Sequence, residues 1–271
     1  MALASEIVAL ARALEPDRYL AALGAPAPAR DDLIALAAFA AEIRRIARLV
    51  HDPLVGEIRL TWWREALEAL VRGEPADHPI ADALAGPIQR GVYPVSRLTG
   101  FIDAMVFDLS PMPFADSRAR EVYLGKTEGT LFRLSLARLG GAEEQEPLVR
   151  TVAIAYGLAR AALTLGAGQP LVTEADLAAA GRTIHQLGHY DESEARQLIA
   201  GRLSDLSRTA MDEARRTAGD IPPQLRVALL PLAMVPAYRR WALRPAGAPS
   251  MAPLIRVWRI WRATRTRRLG G

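Results

Sequence analysis

The chain has 271 residues, 51% of them hydrophobic, and a formal net charge of +4. That apolar content can bury a sizeable core and excludes a disordered chain, while the dominance of Ala, Leu and Arg and the sparse aromatic residues favour helices over sheets. Cysteine is absent, which excludes a disulfide framework, a thiol nucleophile and a thiolate metal site.

In chain order, the opening segment places Leu3, Ile7, Leu10 and Leu14 on one face of a helix over 3–14, ending before Pro16. It is amphipathic and not the continuous apolar run of a signal segment. Asp31 or Asp32 can cap a long helix to about Val50, with Leu33, Leu36, Phe39, Ile43 and Ile46 at helical spacing. Pro53 suits the first turn of the next helix, which carries Ile58, Trp62, Ala66 and Leu70 and ends at Gly73. Helices are expected near 79–90 and 94–109, then a turn at Pro111-Met112-Pro113. Further helices are expected over about 115–139 (ending at Gly140-Gly141), 146–165, 173–180 (stopping at Gly181), 191–217, 223–243 and 251–268. With no disordered linker and no internal repeat, the simplest reading is one all-α domain over 1–271.

No stretch is long and clean enough to span a bilayer; the best apolar run, VALLPLAMVPA, is broken by Pro231 and Pro236. The expectation is a soluble cytoplasmic protein, with contact at the inner face of a membrane left open. Nearly all positive charge is arginine, with Lys126 the only lysine. That bias fits a G- and C-rich genome, and equally a preference for phosphate oxygens.

Candidate motifs are few. GKTEG at 125–129 lacks the upstream glycine of a phosphate loop and sits in a helical context, so Lys126 reads as a solvated or pocket residue. His185 and His189 have metal-ligand spacing, but Gly181 and Gly188 point to a loop surface. There is no G-x-S-x-G and no Rossmann glycine pattern. The segment LIRVWRIWRATRTRRLGG combines Trp258 and Trp261 with Arg256, Arg259, Arg262, Arg265, Arg267 and Arg268. Such a helix can lie on an anionic membrane surface. The favoured alternative is a last core helix with its tryptophans packed inward and its arginines in solvent. Nucleic-acid binding is not expected, because aromatic residues are not otherwise interleaved with basic ones.

Residues 38–65 read AFAAEIRRIARLVHDPLVGEIRLTWWRE. This resembles the first conserved block of the squalene/phytoene synthase family, in which an A-F motif leads into D-D-x-x-D and a W-R motif follows on the next helix. Ala38-Phe39 and Trp63-Arg64 carry the match. FIDAMVFDL (101–109), EVYLGKTEGTLFRL (121–134) with Tyr123, YGLARAAL (156–163) and PLVTEADLAAAG (170–181) are similar to later blocks. The resemblance implies the isoprenoid synthase fold, a helical bundle around a central cavity. Phe39, Glu42, Ile43, Ile46, Gly56, Arg59, Trp62, Trp63 and Arg64 resemble most closely the branch that contains the mitochondrial complex I assembly factor, regarded as a pseudoenzyme branch.

In active members, two aspartate-rich motifs bind Mg²⁺ to neutralise the leaving diphosphate. Here the first motif falls on Arg44-Arg45-Ile46-Ala47-Arg48, and LARAALTLGAGQP, where the second belongs, has no acidic residue. Glu57, Asp103, Asp108 and Glu128 have no spacing that rebuilds a metal site. Glu42 is placed to pair with Arg45. The resemblance therefore implies a non-catalytic scaffold or assembly factor without cofactor or metal, working with a protein partner. It leaves open a binder of an isoprenoid or phospholipid phosphate at Arg44, Arg45, Arg48, Tyr123 and Lys126. The alternative is an active prenyltransferase that uses Mg²⁺ at an unusual site.

Overall fold

The computed structural model describes residues 3–50, 52–110, 112–141, 145–165, 171–183, 194–245, 251–266 and 269–270. These form α1 (Ser5–Leu14), α2 (Pro16–Ala22), α3 (Ala27–Leu49), α4 (Pro53–Val71), α5 (Pro79–Gln89) and α6 (Val95–Val106). A 3-10 turn, Phe107–Leu109, then leads to α7 (Ser117–Lys126), α8 (Glu128–Arg138), α9 (Glu146–Leu163), α10 (Glu174–Ala179) and α11 (Glu194–Thr217). The last elements are α12 (Pro223–Leu229), a 3-10 segment Leu230–Met234, α13 (Val235–Ala242) and α14 (Pro253–Thr264). Among the described residues the only extended pairing is an isolated parallel bridge between Phe114 and Thr173.

Besides α2, which the sequence reading does not anticipate, three boundaries differ from it. Pro26 and Pro28 start α3 four or more residues before Asp31, because proline is preorganised for a first helical turn. Asp31 and Asp32 are therefore not caps, and Asp32 instead pairs with Arg90 at 2.8 Å and with Arg138. The helix expected over 115–139 is two helices, broken at Thr127 (φ −99°, ψ −88°). The Thr127 hydroxyl donates to the Tyr123 carbonyl at 2.9 Å, and Gly125 and Gly129 flank the break as weak helix formers. The helix expected over 223–243 is interrupted by the Leu230–Met234 segment, where Pro231 lacks an amide donor, and restarts at Val235 with Pro236 in its first turn.

The chain divides into two compact units. The first comprises Met1–Ser110, Thr130–Glu146 and Ile221–Leu230. It is organised around α3, in which every residue from Leu33 to Ala41 is buried. A helix apolar on all sides must be enclosed, and α1, α2, α4, α5 and α6 all pack against this one. The entry to α4 is fixed by the Asp52 carboxylate, which accepts from the Leu54 amide at 2.9 Å beside Pro53.

The second unit comprises Pro111–Gly129, Pro147–Asp220 and Pro231–Gly271. Helix α9 supplies its core, with Val152, Ala155, Tyr156, Leu158 and Ala159 buried. The Ser207 hydroxyl donates to the Ala155 carbonyl at 2.6 Å, and Arg239 Nε donates to the Ser204 carbonyl at 2.7 Å, which ties α9 to α11 and α11 to α13. At Gly157 a Cβ would run into the Leu124 side chain, so α7 approaches α9 at glycine distance.

A buried carboxylate anchors α10. Thr173 and Asp176 form a reciprocal capping box, the Thr173 amide donating to Asp176 at 3.0 Å and the Asp176 amide donating to the Thr173 hydroxyl at 3.1 Å. Arg120 Nη1 donates to the same carboxylate at 2.7 Å and to the Leu171 carbonyl at 3.3 Å, and Arg202 pairs with its other oxygen. Burial opposes ionisation of Asp176, but the Thr173 hydrogen bonds and the two arginines outweigh it and hold the carboxyl below its ordinary range. The folded-state pKa is depressed, so this stabilisation is complete above the unfolded-state pKa and is lost as pH falls through the folded one. Asp176→Asn is expected to cost about 3 kcal/mol near neutral pH by leaving Arg120 buried beside a neutral amide. Urea denaturation of both proteins checks this, and the difference should shrink as the pH is lowered through the carboxylate range.

Candidate functional site

Phe39, Trp63 and Arg64, three of the residues that carry the family resemblance in the first unit, lie at the α3–α4–α6 contact. Phe39 is fully buried and packs edge-on against Trp63, with ring centroids 5.5 Å apart, and tilted against Phe101 at 5.8 Å. Trp63 points inward because Leu60, Trp63, Leu67 and Leu70 fall on one buried stripe of α4. Trp62 takes the neighbouring exposed position, 5.4 Å from the His78 ring. Arg64 Nε donates to Asp103 on α6 at 2.7 Å, and its Nη1 donates to the Thr61 hydroxyl at 3.3 Å. Gly56 is buried where a Cβ would run into Leu109. Arg59 is exposed.

Below this cluster α3 emerges from the core and turns charged. Arg44 is mostly buried and pairs with Glu15, itself 2% exposed, at the α1–α2 junction. Its guanidinium carbon lies 5.5 Å from the Phe101 ring centroid, and Arg18 packs 3.7 Å from the same Glu15. Arg45 pairs with Glu42 at 2.8 Å, as its i, i+3 spacing suggested. Arg48 is exposed. Arg44 and Arg45 are thus each engaged by a carboxylate. Glu15 was not legible as a partner, because a pair 29 residues apart in sequence leaves no periodic signal.

In the second unit, Tyr123 stacks on Phe114 with centroids 5.3 Å apart, and Lys126 is exposed. Sequence reasoning missed a further pair there: Glu128, 5% exposed, lies 3.3 Å from Arg160, whose guanidinium sits 5.6 Å from the Tyr156 ring centroid. Glu128 thus has a guanidinium partner on a neighbouring helix.

Mg²⁺ requires hard oxygen donors. Residues 44–48 offer three arginines and no carboxylate, and Glu15 and Glu42 are each held by one of them. The stretch does not fit the ion. Among the described residues no three His, Asp or Glu side chains cluster as a metal site; His185 and His189 lie outside those residues. No described helix is long and apolar enough to cross a membrane.

The C-terminal helix corrects the favoured sequence reading. Trp258 and Trp261 are not core residues: they are 52% and 49% exposed, and in α14 only Ile260 is buried. A helix of this composition satisfies two opposite readings of which side faces inward, and the seating of Ile260 against the unit decides between them.

The squalene/phytoene synthase family model matches residues 11–259. The chain belongs to this family. A squalene synthase from Alicyclobacillus acidocaldarius shares the fold at a TM-score of 0.70 and 21% identity, over 89% of this chain and 94% of that one. A dehydrosqualene synthase matches at 0.74 and 13% identity, over 96% and 95%. Both are all-α, so the isoprenoid synthase fold expected from the sequence is the fold of this chain. Similar curated proteins are NADH dehydrogenase (ubiquinone) complex I assembly factor 6 from Rattus norvegicus, 28% identical, and from Homo sapiens, 26% identical, each over 131 residues. These matches cover 48% of this chain and 39% of the length of those relatives.

Placing a carboxylate at position 44, where the resemblance sets the head of the first aspartate-rich motif, should harm the fold. Arg44→Asp sets a second acid against buried Glu15 and is expected to cost more than Arg44→Ala, which itself should cost about 3 kcal/mol. Chemical denaturation of both variants measures the difference, and adding Glu15→Gln to Arg44→Asp should recover part of the loss.

Proposed function

We propose that this chain is a non-catalytic member of the squalene/phytoene synthase family that acts as a scaffold or assembly factor for a protein partner. The observation that carries this reading is the Arg44–Glu15 pair. The position where active members place their first metal-binding aspartate is here a mostly buried guanidinium with a structural partner. Diphosphate leaves poorly until its charge is neutralised, and the arginines at 44–48 repel the cation that would neutralise it. In the second unit, the segment where the second motif belongs carries no acid from Leu158 to Pro170. The named function of the assembly-factor relatives supports a protein partner. We place the protein in the cytoplasm as one domain, without metal or cofactor, peripheral to the inner membrane face.

The engagement of Arg44 and Arg45 by carboxylates favours the scaffold over an arginine-lined receptor for a lipid phosphate. Incubation with Mg²⁺ and farnesyl or geranylgeranyl diphosphate, with binding and pyrophosphate release both followed, tests the reading. Neither binding nor release is expected. Saturable binding without release that is lost in Arg44→Glu/Arg48→Glu would replace the scaffold with the receptor, and release of pyrophosphate would make the protein a prenyltransferase.

A further inference from the structure

We infer that the outward face of α14 is a docking surface for an anionic lipid bilayer. Leu254, Val257, Trp258 and Trp261 follow i, i+3, i+4, i+7 spacing and are 77%, 46%, 52% and 49% exposed. The opposite side is seated: Ile260 is 3% exposed, and Arg259 Nη1 donates to the Ala233 carbonyl at 3.3 Å. The helix is thus held to its unit by one side and carries four large apolar side chains bare on the other.

Arg262 and Arg265 continue that bare face by a turn. Their guanidinium carbons lie 4.9 and 3.9 Å from the ring centroids of Trp258 and Trp261. Leucine, valine and the indole rings can enter the acyl boundary while the stacked guanidinium groups stay at headgroup level. At 12 residues the helix is about 18 Å long, which suits lying in the interface plane and not crossing it.

Charge selects the occupant. Residues 251–271 contain six arginines and no aspartate or glutamate. A neutral bilayer would accept the apolar side chains but leave the guanidinium groups without counter-charge, whereas anionic headgroups supply it. A second copy docked by the same face would set arginine against arginine, since a two-fold contact pairs a surface with itself. Burial, and the neighbouring Arg240 and Arg262, lower the pKa of Arg259, which marks how densely positive this corner already is.

Docking of this kind does not depend on whether the chain is catalytic. The full chain is expected to float with vesicles of mixed phosphatidylglycerol and phosphatidylcholine and to remain behind with phosphatidylcholine alone. Trp258→Ser/Trp261→Ser and Arg262→Glu/Arg265→Glu should each weaken binding about tenfold or more, and added salt should weaken it further. Circular dichroism reports whether each variant folds. Quenching of wild-type tryptophan emission by brominated anionic lipid provides a readout that needs no variant. Equal flotation with both vesicle types, retained binding in both folded variants, or absence of quenching would overturn the inference. So would a concentration-dependent dimer that Trp258→Ser/Trp261→Ser abolishes, which would make the face a contact between copies. Failed flotation without pyrophosphate release would overturn the docking surface and leave the non-catalytic reading standing; flotation with release would do the reverse.

Discussion

The burial of α3 on every side is the constraint on which the first unit depends. No face of Leu33–Ala41 is left for water, so five helices must pack around it. Phe39 sits within this run and meets Trp63 and Phe101, which fixes how α4 and α6 lie against it. The same helix then leaves the core within a turn or two and presents Arg44, Arg45 and Arg48. Packing of the apolar half therefore dictates where the charged half is held, and Glu15 meets Arg44 there because α1 and α2 are themselves packed on α3.

A mostly buried guanidinium paired with a buried carboxylate is costly to form and more costly to break. The charges on that end of α3 are thus answered within the first unit, where Glu15 pairs with Arg44 and Glu42 with Arg45. Arg160 and Glu128 repeat the pattern in the second unit: a buried acid is answered by a guanidinium on a neighbouring helix.

The two tryptophans of α14 show the opposite economy. Elsewhere large aromatic side chains such as Phe39, Tyr93, Phe101 and Phe132 are fully buried. Leaving Trp258 and Trp261 half exposed, each with an arginine over its ring, forgoes the stabilisation that burying an indole provides. A surface that forgoes burial in the free protein is the kind that gains it on docking.

The sequence alone determined the all-helical class, because Ala, Leu and Arg at helical spacing recur throughout and turn signals are short. It also determined the family, through blocks such as Ala38-Phe39 and Trp63-Arg64 in their order, but not the inward stripe of α4, since Ile58 and Trp62 of the expected set are 61% and 40% exposed. These are local or periodic properties, written within a few turns of chain. The tertiary structure decided the rest: that Arg44 answers Glu15, that Asp32 pairs with Arg90 and Arg138 and does not cap α3, and that Glu128 faces Arg160. It also decided which side of α14 faces inward. Ion pairs between distant segments have no period, and an amphipathic helix with aromatic and basic residues on several sides is ambiguous until a neighbour claims one of them.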